Sequence, residues 1–188
     1  VVTVEPTESP TETPVSELTV HFIDVGQADA AVLQCGDDTM MIDGGNVADS
    51  SLIVAYLKKL NIDNIDYMVC THAHEDHVGG LSAPLSVMPV SAVYAPSAEA
   101  DSKAYQNFKR KAADQNTEIM HPENYESFPF GSARVEILAC PDNADNLNNT
   151  SIILKVTHKN KSFLFTGDAE REEEQTLLDR GLLKSDVL

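Results

Sequence analysis

The stretch Cys70 to Leu81, CTHAHEDHVGGL, gathers His72, His74, Glu75, Asp76 and His77 into six consecutive positions, although the whole chain has only 6 histidines. Imidazole nitrogen and carboxylate oxygen at this density suit zinc, manganese or iron better than calcium or magnesium. In an extended segment, side chains two apart project to the same side, so His72 and His74 can aim two rings at one point. Asp76 and His77 then fall on the following turn, where a helix beginning near Val78 would hold them. Gly79 and Gly80 let the backbone turn tightly and approach a neighbouring strand. A polar loop that binds nothing is the competing reading, and for a lone histidine it would prevail. For HxHxDH after an apolar strand and before a glycine pair, metal binding is the better account.

The surrounding pattern supplies a frame for such a loop. LTVHFIDV, Leu18 to Val25, reads as a strand, GQAD as a turn, and AAVLQC and TMMID as two more strands, together a β-meander. Ser51 to Leu60 carries Leu52, Ile53, Tyr56, Leu57 and Leu60 at helical spacing, with Asp49 or Ser50 as its N-cap. IDYMVCT is a short apolar run that suits a buried strand and delivers the chain into the histidine loop. GGLSAPLSVMP suggests a short helix ended by Pro89, SAVYAP a strand, and DSKAYQNFKRKAADQ a surface helix. TEIMH, ARVEILAC, SIILKVTH and SFLFTGD read as four further strands. AEREEEQTLLDRG closes as a helix, acidic in its first turn and ended by Gly181. Strands first, then helices alternating with strands, imply α/β layers.

Composition sets the outer limits. At 188 residues the chain suits one domain with a real core, and no apolar run approaches the ~20 residues of a membrane helix. A net charge of −17 argues against a broad basic footprint for nucleic acid or anionic lipid. Bound metal ions could still supply positive charge locally. Cys35, Cys70 and Cys140 are odd in number and widely spaced, so they form neither a disulfide framework nor a thiolate metal site. Cys70 is better read as a small buried side chain at a strand end than as a ligand. Residues 1–17, VVTVEPTESPTETPVSE, lack basic residues and bury too little apolar surface to order themselves, so a disordered linker is expected there. Such tethers follow signal peptides or lipid anchors in exported bacterial proteins. An extracellular or cell-surface setting is therefore expected, held by a membrane tether upstream, with a cytosolic protein bearing a loose end as the alternative.

HAHEDH resembles the HxHxDH signature of the metallo-β-lactamase superfamily. In chain order, FIDVGQADAAVLQ, MIDGG, THAHEDHVGGL, NNTSIIL and FLFTGD resemble the hydrolase domain of ComEC-type competence proteins and their soluble relatives. The resemblance covers residues 18–188. It implies an αβ/βα four-layer sandwich carrying two divalent ions, zinc first and manganese second. His72 and His74 would bind the first ion, Asp76 and His77 the second, and Asp168 would bridge both. Asp43 would accept hydrogen bonds from the ligand loop and fix its shape; read without the family, Asp43 and Asp24 are acids at strand ends before glycine. Paired ions lower the pKa of water from 15.7 towards ~7 and hold both oxygens of an in-line displacement. Asp76 would also take the proton from the attacking water. The redox di-iron branch carries glutamate where His74 stands, which favours hydrolysis here.

Two departures from the family pattern matter. Many members supply a third histidine to the first ion, whereas DNADNLNNTS, residues 142–151, has none; Asn148, Asn149 or Ser151 could line the site instead. His21, His121 and His158 read as surface or core residues. Relatives also continue beyond LLKSDVL into a histidine that completes the second ion's set, so the sandwich is expected to be C-terminally incomplete and metal occupancy weak. The expected activity is hydrolysis of a phosphodiester, small or polymeric, nucleic acid included. Alternatives are a cell-surface phosphoesterase, a lactone or lactam hydrolase, and a non-catalytic surface binding module with a degenerate metal site.

Overall fold

The computed structural model describes residues 16–141 and 146–188. Most of the expected linker, residues 1–15, and residues 142–145 of the asparagine-rich turn lie outside the described residues. The opening meander is present. β1 (Leu18–Phe22), β2 (Ala31–Cys35) and β3 (Asp38–Ile42) pair antiparallel, with Phe22 opposite Ala31 and Ala31 opposite Ile42. β1 stops three residues short of Val25 because the chain turns there, the Gly26 amide donating to Asp24 Oδ1 at 3.2 Å. β4 (Ile65–Val69), β5 (Val90–Tyr94) and β6 (Ile119–Met120) then add in parallel, giving a sheet ordered β1-β2-β3-β4-β5-β6. Parallel pairing requires crossovers, and these carry the helices α1 (Ser50–Lys59), α2 (Glu75–Val78), α3 (Pro84–Val87) and α4 (Lys103–Asp114).

The second sheet is an antiparallel meander, ordered β10-β9-β8-β7, of β7 (Ser127–Phe130), β8 (Ala133–Ala139), β9 (Ile153–His158) and β10 (Lys161–Phe165). β7 has no counterpart among the strands read from sequence. It is short and contains Pro129, which lacks an amide hydrogen and is tolerated because β7 lies at the sheet edge. α5 (Arg171–Asp179) follows β10; it ends with Gly181 at φ 69°, and Leu182 N donates to Leu177 O at 3.0 Å.

Alternation along the strands assigns each side chain to a layer. Val32, Met41, Met68 and Val93 point into a core shared with the helices, where Ile53, Leu57, Tyr105 and Phe108 pack. Their neighbours Leu33, Met40 and Val69 point to the other face and meet Val135, Leu154 and Val156 of the second sheet. A third cluster, Leu138, Ile153, Leu164 and Leu177, joins the outer face of that sheet to α5. Four layers result, helices, sheet, sheet, helix, in agreement with the expected αβ/βα sandwich.

One boundary differs at the place that matters most. The helix expected near Val78 begins at Glu75, with His74 as its N-cap. The acids Glu75 and Asp76 occupy its first turn, where negative charge faces the positive end of the helix. Asp76 and His77 are therefore helical residues. The short helix expected over Gly79 to Pro89 is divided into a 3-10 turn, Gly79–Ser82, and α3, which starts on Pro84 and ends at Val87, with the extended Met88 as its C-cap before Pro89.

Candidate metal centre

Three strands end at the same rim of the sandwich and deliver the polar residues there: Asp43 directly follows β3, Thr71 and His72 follow β4, and Asp168 follows β10. The close approach depends on particular glycines. A Cβ on Gly80 would lie 2.0 Å from the Gly44 carbonyl oxygen, so the turn after α2 can rest on the turn after β3 only with glycine. Gly167, at φ 52°, would place a Cβ 2.9 Å from Thr71 Cβ, and its absence lets the end of β10 reach the histidine loop.

Asp43 is a buried carboxylate, 1 % exposed, held at φ 55° in the left-handed region. That conformation costs roughly 1–3 kcal/mol for a non-glycine residue. The carboxylate offsets the cost by accepting three hydrogen bonds: from Thr71 N to Oδ1 at 2.8 Å, and from Thr71 Oγ1 and His77 Nδ1 to Oδ2 at 2.7 and 2.8 Å. Since Thr71 gives its only hydroxyl hydrogen to Asp43, its oxygen is left to accept from His72 Nδ1 at 3.2 Å. This network assigns both tautomers. His72 and His77 carry hydrogen on Nδ1 and turn Nε2 toward Asp168.

Asp168 meets them with separate oxygens: Oδ1 lies 3.3 Å from His77 Nε2, and Oδ2 lies 3.9 Å from His72 Nε2. His74 Nδ1 approaches His72 Nε2 at 3.0 Å. His72, His74 and Asp168 thus each offer one donor atom within 4.8 Å of the others, and Asp76, His77 and Asp168 form a second such set. A third set, Asp29, Asp43 and His77, adjoins them. With small side-chain movement these spacings admit cations bound at about 2.0–2.2 Å to nitrogen and oxygen. The donor types also fit divalent ions: imidazoles on one side, carboxylates on the other, and one carboxylate facing both.

Burial opposes the charged form of both buried rings. In His72 burial prevails and, aided by the charge on His77, brings the pKa down to about 4. In His77 burial is outweighed by the hydrogen bond and charge of Asp43 and by the charge of Asp168, so its pKa rises to about 9. Near neutral pH the metal-free site therefore holds His72 neutral and His77 as imidazolium. An ion bound at His77 Nε2 must displace a proton. Burial also raises Asp29; His77 works against that rise, whereas Asp43, Asp168 and Asp76 add to it.

Other residues considered from sequence lie elsewhere or serve structure. Asn148 Nδ2 donates to Glu170 Oε1 at 3.3 Å, Asn149 Oδ1 accepts from Glu170 N at 2.9 Å, and Ser151 Oγ donates to Asn148 O at 2.6 Å. Their polar groups brace the turn before β9 against the start of α5. His21 contacts Tyr56, His121 contacts the Ala95 carbonyl, and His158 contacts Ser132 and the Ser16 carbonyl. Asp24 serves the turn after β1. Cys70 is fully buried and donates to the His72 carbonyl at 3.0 Å, outside every donor set. Two residues at the site escaped sequence reasoning. Thr71 read as the end of a strand, and Asp29 as part of a turn. The hairpin register, which sets Phe22 against Ala31, places Asp29 at the loop's closing end. Its contact with the histidine loop is non-local and leaves no periodic signal.

Comparison with known proteins bears on the family and the fold. ComE operon protein 3 of Bacillus subtilis (strain 168) is 25 % identical to the chain over 92 % of its residues. Recombination protein 2 of Haemophilus influenzae is 30 % identical over 90 %. The chain spans 25 % and 20 % of the length of these two relatives. Among solved structures, a B3 metallo-beta-lactamase with an active-site glutamic acid superposes at a TM-score of 0.60, covering 96 % of this chain and 78 % of that one at 17 % identity, which shows the shared fold. The family model for the metallo-beta-lactamase superfamily matches residues 23–137. With the sandwich, the rim of strand ends and this match over more than half its length, the chain belongs to the metallo-beta-lactamase superfamily.

Proposed function

We propose that the chain is a metal-dependent hydrolase of phosphodiesters, with nucleic acid as the foremost polymeric substrate. The observation that carries this reading is the convergence of His72, His74, Asp76, His77 and Asp168, from two distant segments, into two donor sets that share Asp168. His72 and His74 would hold the first divalent ion, Asp76 and His77 the second, and Asp168 would serve both. Asp43 orients the rings from behind, directly at His77 and through Thr71 at His72. Asp76 would take the proton from the attacking water. Zinc is the first expectation for both ions and manganese the second; bound there, they would bring the pKa of water towards ~7 and offset charge on the reacting phosphate.

Further observations support a phosphodiester. The ion pairs of Asp43 and Asp168 among the described residues are with histidine, so the positive charge an anionic substrate needs comes with the ions. A cavity of about 290 Å³ opens beside Asp43, Asp29 and Thr71, with Phe22 and Phe165 on its wall, and gives room for a leaving group. One relative is named for recombination, which favours nucleic acid. The Thr/Pro/Glu-rich residues 1–17 support an exported or surface-held setting.

The test is to measure metal content, then hydrolysis of bis(p-nitrophenyl) phosphate and of single-stranded DNA with added zinc or manganese. His74→Ala and Asp168→Ala should abolish turnover and lower metal content. Unchanged activity in either variant would refute the site. Full metal loading without turnover of either substrate would instead favour a surface binding module.

A further inference from the structure

We infer that the cavity walled by Phe22 and Phe165 takes one nucleobase of a single-stranded substrate whose phosphodiester lies at the metal centre; this rests on the reading proposed above. Phe22 closes β1 in the first sheet, and Phe165 closes β10 in the second, just before Asp168. The two rings meet across the sandwich with centroids 6.0 Å apart and planes 29° from parallel. Phe165 packs against the core between the sheets, so it holds the Phe22 ring in place. It does not cover that ring, which stays 58 % exposed. The space beside the rings exists because several of their neighbours are small. Ala31 is the cross-strand partner of Phe22, and Ala28, Ala30 and Gly167 line the same cavity.

The cavity is continuous with the metal centre, since Asp43 and Thr71 line it and Gly167 leads directly into Asp168. Its volume of about 290 Å³ lies near the lower end of ligand clefts, roughly 300–1,000 Å³, and suits one ring system rather than a stretch of polymer. The chemistry of its wall decides what can enter. Asp29 and Asp43 are the ionisable side chains on it, Thr71 and Thr166 add hydroxyls, and among the described residues no lysine, arginine or histidine lines it. A phosphate or carboxylate is repelled by such a wall and belongs with the cations. The group that enters beside it is neutral, flat enough to lie on a phenyl face, and able to donate N–H to oxygen. A nucleobase has all three properties. An alkyl or glycerol chain offers no flat face, and the carboxylate freed from a lactam has the wrong charge. Stacking on an aromatic ring accepts any base, but the base must be free of a duplex partner, which selects single strands.

The experiment uses the full chain loaded with zinc and three monoesters that share a phosphate: 2-aminopurine riboside 5′-monophosphate, ribose 5-phosphate and butyl phosphate. Monoesters are products of diester cleavage, so they report binding without turnover. Calorimetry gives the three affinities, and quenching of 2-aminopurine fluorescence reports stacking. The wild type should bind the nucleotide roughly 5–100-fold more tightly than ribose 5-phosphate, the range expected for one stacked base. Phe22→Ala should erase that preference and the quenching. Phe22→Tyr keeps the aromatic face and should retain both, whereas Phe22→Leu keeps apolar volume alone and should lose both; melting temperatures check that each variant is folded. Should Phe22→Ala fail to fold, the tyrosine and leucine pair decides. Equal affinity of the wild type for nucleotide and ribose 5-phosphate, or a preference that survives Phe22→Leu, would overturn the inference while leaving the metal reading intact. Butyl phosphate bound as tightly as the nucleotide would make the cavity a general apolar pocket and also overturn it. Phosphate binding that does not depend on zinc would remove the metal reading itself, and the inference with it.

Discussion

Replacing Asp43 by Asn tests the buried network behind the rim with little change in shape. Asparagine tolerates the left-handed backbone that Asp43 adopts at φ 55°, so strain is not the variable. What changes is the charge facing His77 and one of the acceptor oxygens. His77 is raised from 6.5 to about 9, chiefly against the pull of burial, through Asp43; at 1.36 kcal/mol per pKa unit this corresponds to about 3 kcal/mol of folding stability. Because the folded pKa is the higher one, the contribution is fully present below pH 6.5 and disappears as pH rises through about 9. Urea unfolding of metal-free protein should therefore find the variant about 3–4 kcal/mol less stable at pH 6, the excess over the linkage term coming from weakened bonds to Thr71. At pH 10 the deficit should shrink to about 1 kcal/mol, the value for those bonds alone. A deficit independent of pH would show that Asp43 stabilises the fold without charging His77, and would refute the imidazolium assigned to His77.

Three further outcomes are expected. Gly80→Ala forces a Cβ to 2.0 Å from the Gly44 carbonyl, and should destabilise the protein by at least about 3 kcal/mol, seen as a fall in melting temperature of roughly 6–12 °C. Thr71→Val keeps the side-chain volume but removes both the donor to Asp43 and the acceptor for His72, so metal affinity should fall about 10–100-fold, whereas Thr71→Ser should stay near the wild type. Cys35 and Cys70 are fully buried, and burial raises the Cys70 thiol well above its ordinary value; neither should react with a thiol reagent until the protein is unfolded in urea.

The layers of this fold were legible because strand and helix periods are local. Met40 and Met41 illustrate the limit: the sequence shows an apolar pair, and only the sheet's two covered faces send one toward β8 and β9 and the other toward the helices. The histidine loop stood out through density and spacing within six residues. Its helix boundary was misplaced because HEDH reads as a ligand cluster and as an acidic first turn at once, and a local scan does not separate the two uses. β7 was missed since Pro129 argues against a strand unless the strand is known to be an edge. Thr71 and Asp29 gained their places from contacts made across the rim, between residues 28 and 47 positions apart. No window along the chain contains them.

Asp168 stands alone at the end of β10, while the other donors come from the first sheet and the helix beside it. A cation gripped by both would act as a cross-link between the two sheets, closing a long loop of chain much as a disulfide does. Chelation should then do more than empty a pocket: it would unlatch one edge of the sandwich. Amide exchange in β9 and β10 would quicken while β3 and β4, buttressed by their helices, keep their protection.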